Sequence, residues 1–181
     1  ASSMLTGVGV PVETRREAQV LLIISQLKQN KFTLADQQFK RFRRNFKTAQ
    51  AQFAEIEYEI GQYYVRNKNF RRAERHFKNT SKKYADTPMA IRGDFGLGNA
   101  LLVQNKVDDA LDVLTEIPNK YPNSPFLRVV HYNLGRFYRE QRQLNNAVQS
   151  LKLALSDSLQ DATHRESLLE LAELYAEWEF H

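Results

Sequence analysis

The sequence predicts an all-α solenoid of four stacked helix pairs followed by one unpaired C-terminal helix. Three observations carry this reading. Small residues recur at one fixed step: Gly61, Gly98, Gly135 and Ala172 are each 37 positions apart. Other columns keep the same step, namely Ala73, Ala110, Ala147, then Phe77, Leu114, Leu151, then Tyr64, Leu101, Tyr138, Tyr175. Finally, 7 Gly and 5 Pro in 181 residues are too few for a turn-dominated β protein. A period of this length marks stacked supersecondary units. A Gly or Ala where two helices cross lets their backbones approach, and large neighbouring side chains fill the space around it. One pair cannot bury its apolar face alone, so the pairs share a continuous core.

The elements come in order along the chain. Residues 1–13 read as a flexible leader with two Gly and one Pro. The first pair covers about 14–47. A step of 38 back from the columns reaches Ile23, Ala35 and Phe39, but also Gln26, so this unit is degenerate. The second pair covers about 51–84. Its first helix carries Ile56, Ile60, Tyr63 and Tyr64 at helical spacing, Asn67-Lys68-Asn69 breaks the pattern, and Ala73, Phe77 and Tyr84 mark its second helix. The joints Tyr84-Ala85-Asp86-Thr87-Pro88 and Tyr121-Pro122-Asn123-Ser124-Pro125 stand in register. Their polar residues can cap a helix, and Pro suits a first turn, so the third and fourth pairs are expected at about 88–121 and 125–158. The last helix is expected at about 161–180. The units are thus about 14–50, 51–87, 88–124 and 125–160, within one solenoid domain spanning 14–181.

Composition narrows function. The longest strongly apolar run, Val20 to Ile24, is far short of the roughly 18 residues of a membrane span. The first residues lack the charged start and apolar middle of a signal peptide. The absence of cysteine excludes disulfides, thiolate metal sites and a Cys nucleophile. Phosphate-cradling Gly loops, Gly-x-Ser-x-Gly and His-Glu-x-x-His are missing. His76, His131, His164 and His181 are scattered, and Asp108, Asp109 and Asp112 suit a helix start better than an acid–base pair. The expectation is therefore a non-catalytic protein without cofactor or metal. The net charge of +5 is unevenly spread: residues 1–90 hold 17 Lys+Arg against 8 Asp+Glu, and residues 91–181 hold 9 against 13. Such asymmetry bears on partners rather than on fold.

Leu97-Gly98 with Leu101, Ala110 and Pro122, and Leu134-Gly135 with Tyr138 and Ala147, resemble the tetratricopeptide repeat (TPR) signature. Gly61 with Tyr64, Ala73 and Phe77 resembles it too. The resemblance covers about 14–180, with a unit of 37 residues where the family usually has 34. That longer unit and the Tyr-Pro-Asn-Ser-Pro joint resemble bacterial envelope members, such as the Tol–Pal-associated cell-division coordinator and outer-membrane assembly lipoproteins. The resemblance implies a right-handed solenoid that works as a protein-binding scaffold or adaptor, in the periplasm or at the envelope. A cytoplasmic setting is the alternative.

It also implies that the first helix of each pair lines a concave face. The matching columns are Val20, Tyr58, Phe95, Tyr132, Leu169 and Ile24, Gln62, Asn99, Arg136, Glu173, with Arg92 and Arg139 beside them and Arg66 at the edge. The partner-binding candidates are therefore Tyr58, Gln62, Arg66, Arg92, Phe95, Asn99, Tyr132, Arg136 and Arg139. An aromatic strip flanked by Arg and amides suits a peptide, a partner helix or another protein. The competing readings of the same column are packed core and, behind it, a surface covered by the protein's own leader or tail. Carboxylate-capturing TPR grooves carry Lys and Asn where this chain has Val20 and Ile24, which disfavours that mode.

A second candidate surface is basic: Lys40, Arg41, Arg43, Arg44 and Lys47, then Arg71, Arg72, Arg75, Lys78, Lys82 and Lys83. These lie on second helices. A solvated face is the plain reading, and an anionic protein or membrane surface is the functional one. Nucleic acid is disfavoured, since Phe39, Phe42 and Phe46 read as a buried stripe and no nucleic-acid motif accompanies them. On the last helix Glu166, Glu170, Glu173 and Glu177 recur at helical spacing among Leu168, Leu169, Leu171, Leu174 and Tyr175. Such a helix caps the array or offers a face for a partner, including self-association.

Overall fold

A computed structural model describes residues 9–156 and 161–179, with side chains to residue 177 in the last segment. Its elements are α1 (Val12–Lys28), α2 (Phe32–Asn45), α3 (Gln50–Arg66), α4 (Phe70–Lys83), α5 (Ala90–Val103), α6 (Val107–Lys120), α7 (Leu127–Glu140), α8 (Leu144–Ala154) and α9 (Ala162–Glu179). The fold is all-α, four helix pairs and a ninth helix in sequence order, among the described residues. Val12 and Glu13, expected in the leader, already belong to α1; residues 1–8 lie outside the described residues.

The repeat columns are the core. Ala73, Ala110 and Ala147 are wholly buried, as are Phe77, Leu114 and Leu151, and in the first unit Ala35 and Phe39. The turn inside each pair is built identically. Asn30, Lys68, Asn105 and Arg142 all take a left-handed backbone, with φ of 64°, 55°, 59° and 59°. The amide of the next residue reaches back to the helix it has just left: Lys31 to Gln26, Asn69 to Tyr64, Lys106 to Leu101 and Gln143 to Tyr138, at 2.8–3.0 Å. This six-to-one bond with a left-handed residue at C′ is the Schellman motif, which satisfies carbonyls a helix end would leave bare.

The joints between pairs also recur. The amides of Thr87 and Ala90 bond the carbonyls of Tyr84 and Thr87, as those of Ser124 and Leu127 bond Tyr121 and Ser124. The prolines occupy these turns rather than the first helical turn. α5 and α7 consequently begin two residues later than the sequence implies, at Ala90 and Leu127.

The chain divides into two compact units, Ala1–Ala110 and Leu111–His181. In the first, α2 packs on α1, α4 on α3, and α5 on α4, while α1 touches α3 and α3 touches α5. In the second, α8 packs on α7, and α9 lies against both.

A candidate partner-binding cavity between α3 and α5

In the first unit the Phe77 ring of α4 is inserted between α3 and α5. A Cβ on Gly61 would come within 2.5 Å of this ring, and one on Gly96 within 2.8 Å. Both helices therefore need glycine there, and Phe77 forms a floor shared by both. Above it opens a cavity of about 180 Å³. Val65, Phe70, Phe95 and Val103 supply apolar walls, and Tyr58, Gln62 and Asn99 supply polar groups. The Tyr58 ring lies 5.5 Å from that of Phe77. Gln62 donates a 2.8 Å hydrogen bond to the Tyr58 hydroxyl. Burial pushes the Tyr58 phenol above its ordinary value, partly offset by the Gln62 hydrogen bond and the neighbouring Arg92 charge.

Four of the sequence-derived candidates thus meet: Tyr58 and Gln62 from α3, Phe95 and Asn99 from α5. Arg92 sits beside Tyr58. Arg66 does something else: its guanidinium donates to the Leu27 carbonyl at 3.4 Å, at the end of α1.

The remaining candidates belong to the second unit, where α9 engages them. Arg139 Nη1 bonds Glu170 at 2.6 Å and Glu173 at 2.8 Å, and Nη2 bonds Glu177 at 2.5 Å. Those three carboxylates raise the Arg139 pKa further above its ordinary value. Arg136 pairs with Glu170 at 3.4 Å and lies 5.8 Å from the Tyr132 ring centroid. The start of α9 is pinned as well. Asp161 accepts from the His164 amide at 3.0 Å, an N-cap bond, and from Arg128 of α7 at 2.5 Å. The cap bond first, and Arg128 second, hold the Asp161 carboxyl below its ordinary value. In this unit Arg136 and Arg139 are engaged by the glutamates of α9.

The basic candidates separate into two kinds. Arg43 and Arg72 are structural. Arg43 lies 4.4 Å over the Phe39 ring and donates to the Tyr84 hydroxyl at 2.9 Å, and Arg72 lies 5.5 Å from the Tyr64 ring. Lys40 pairs with Asp36 at 2.6 Å. Arg41, Arg44, Arg71 and Arg75 are exposed and make no ion pair among the described residues. With Lys78 and Lys82, Arg71 and Arg75 form one exposed stripe along α4, because their spacing of three and four repeats a helix face.

Sequence reasoning missed the most buried ionic cluster. Glu57 is 5 % exposed, and its Oε1 meets His76 Nδ1 and Asn79 Nδ2 at 2.9 Å each, with Arg43 3.5 Å from Oε2. Burial alone would raise the Glu57 carboxyl, but the His76 and Asn79 hydrogen bonds outweigh it and the net shift is downward. The available signal was its place on the apolar stripe Phe53, Ile60, Tyr64 of α3. Of the other histidines, burial lowers the pKa of His131, His164 stands in the first turn of α9, and His181 lies outside the described residues. Among the described residues no three His, Cys, Asp or Glu gather as a metal site, and no helix is long and apolar enough to cross a membrane.

Residues 58–125 match the family model for the tetratricopeptide repeat. Two solved structures are similar: nearly identical TPR-like repeats assigned to a kinesin light chain of Podosopora anserina, and a point variant of the same protein. Each is 17 % identical and covers 92 % of this chain and 88 % of that chain, with TM-scores of 0.63 and 0.64. At that identity the likeness is one of fold. No curated protein matches the chain. The class is therefore a helix-pair repeat protein with the TPR-like fold, a fold whose members generally hold other proteins.

Proposed function

We propose that this protein is a non-catalytic docking scaffold that receives a peptide or helix of another protein at the α3–α5 cavity of its first unit. The observation that supports it is the cavity itself: a rigid aromatic floor, apolar walls and three amide or hydroxyl groups at about 180 Å³. That volume holds one large apolar side chain, while Gln62 and Asn99 can bond the peptide backbone beside it. Panning a random-peptide phage library tests the reading. Asn99→Trp plugs the cavity from a half-exposed position and should leave helicity unchanged by circular dichroism. Peptides enriched on the native protein should lose at least tenfold in affinity for the plugged variant. Equal binding to both, or no enrichment, would sink the reading.

A second reading rests on the exposed α4 stripe, Arg71, Arg75, Lys78 and Lys82, which suits an acidic protein or an anionic membrane. Reversing all four charges should abolish sedimentation with anionic vesicles, and roughly 0.5 M salt should do the same. Retention that ignores both changes counts against it. The envelope setting is supported by repeat length and joint composition, and fractionation of the source cells checks it.

A further inference from the structure

Every second helix leaves one outer row of side chains in solvent. In α2 that row is Thr33, Gln37, Lys40 and Arg44, all exposed. In α6 it is Asp108, Asp112, Thr115 and Asn119, and in α8 Asn145, Gln149 and Lys152, again all exposed. Packing asks nothing of these positions. In α4 alone the row is wholly cationic: Arg71, Arg75, Lys78 and Lys82, all exposed although α3 and α5 both pack on this helix. Steps of four, three and four hold the four side chains within an arc of about 60° and spread them over about 16 Å of helix. Like charges at that spacing destabilise the helix that carries them. Glu74, the one carboxylate of α4, feels Lys78 but is bound by Lys106 at 3.0 Å and Gln104 at 3.2 Å. The row is thus a charged feature that the fold neither requires nor neutralises.

The row is also narrow. The cations that flank it lie over rings, Arg72 5.5 Å from Tyr64 and Lys83 5.7 Å from Tyr84. No exposed residue of α4 is apolar, so nothing stands ready to enter a bilayer beside the cations. A membrane offers a plane of charge, whereas this helix offers a line. The second unit shows what meets such a line. Glu166, Glu170, Glu173 and Glu177 of α9 follow the same steps of four, three and four, and the last three pair with Arg136 and Arg139 of α7 at 2.5–3.4 Å. We infer that the α4 row is the docking site of an acidic helix of another polypeptide, carrying Asp or Glu at those same steps. This rests on the reading of the α4 stripe as a working surface and commits it to one partner. A mean step of about 3.5 residues keeps two such rows facing each other along both helices, so each cation meets a carboxylate. The chain's own glutamate row is engaged by Arg136 and Arg139, so the partner is not a second copy's α9.

Two helical alanine–glutamine peptides of about 20 residues test it. One carries four glutamates at steps of four, three and four; the other carries the same four split between opposite faces. By fluorescence anisotropy at about 50 mM salt, the native protein should bind the first about fivefold more tightly than the second, or better. The variant Arg71→Glu/Arg75→Glu/Lys78→Glu/Lys82→Glu should lose the glutamate peptide and take up one with lysines at the same steps. Equal binding of the two glutamate peptides overturns the inference. So does sedimentation with vesicles of about 30 % phosphatidylserine when neither peptide binds, but that result keeps the stripe as an anion-binding surface. Failure to bind peptides and vesicles alike removes the inference together with the reading beneath it. Should the fourfold variant disturb the helix, the two peptides on the native protein still decide.

Discussion

Tyr58 and Gln62 of α3, Phe95 and Asn99 of α5, and Tyr132 and Arg136 of α7 are the same two repeat positions, met three times. In the first unit they surround an open cavity. In the second they face the last helix, which reaches them with glutamates. The backbone presents these positions alike, and the side chains decide how each is used. Amides at the second position leave hydrogen-bonding capacity for something from outside. An arginine there, with another three residues on, recruits carboxylates from within. A scaffold built of like units can thus hold one unit ready for a partner and close another, by exchanging Asn or Gln for Arg.

The largest effect that can break this comparison is loss of the shared floor. Phe77→Ala should destabilise the first unit by about 3–5 kcal/mol in denaturant unfolding, with Leu151→Ala, its counterpart, costing the second about 2–5 kcal/mol. A change below about 1 kcal/mol for Phe77→Ala would mean that the ring is not what joins α3 to α5. Next is Arg139→Ala. Three carboxylates lose their common partner, so α9 should loosen by about 1–2 kcal/mol, a figure already reduced for the exposure of Glu173 and Glu177. Hydrogen exchange of α9 amides should quicken while α3 and α5 stay protected; uniform protection would remove the electrostatic account of the closed unit.

Acid sharpens the contrast further. The Glu57 carboxyl is held below its ordinary 4.5, so its contribution is fully present above that value and is lost as pH falls through the lowered one. The first unit should therefore lose stability below about pH 4.5, and Glu57→Gln should flatten that dependence in thermal melts. An unchanged acid limb in the variant would exclude the cluster as its cause. The smallest effect lies at the turns. Lys68→Gly and Arg142→Gly should each stabilise by up to about 1 kcal/mol, since an L side chain in the left-handed region carries a strain that glycine lacks. Asn105→Gly should gain less, because asparagine tolerates that region.

Much of the fold was legible because every repeat column is a packing contact. Ala73, Phe77 and Gly61 can be read from the sequence as a set since removing any one leaves a hole or a clash in the same place. The cavity residues of α3 and α5 come together for the same reason: 37 residues return the chain to the same point of the neighbouring helix. What escaped depends on distance or on torsion. The carboxylates that occupy Arg139 lie 31, 34 and 38 positions away on a different element, and no local pattern couples them. Glu57 stands on the apolar stripe of α3, but its partners His76 and Asn79 lie 19 and 22 positions away on α4. Pro88 and Pro125 fit a first helical turn as well as they fit the joint before it, and the joint's own hydrogen bonds decide. Lys68 and Arg142 carry no mark of a left-handed backbone, which only the next amide's bond imposes.

Those turns carry one more consequence. The four residues at the left-handed position are Asn, Lys, Asn and Arg, and the four carbonyls they serve belong to Gln26, Tyr64, Leu101 and Tyr138. Side chains differ at both places, while φ stays between 55° and 64°. The kinship of the units is thus preserved in main-chain geometry more faithfully than in residue identity. A comparison of backbone torsions would detect the first unit as a copy of the others even where its letters no longer do.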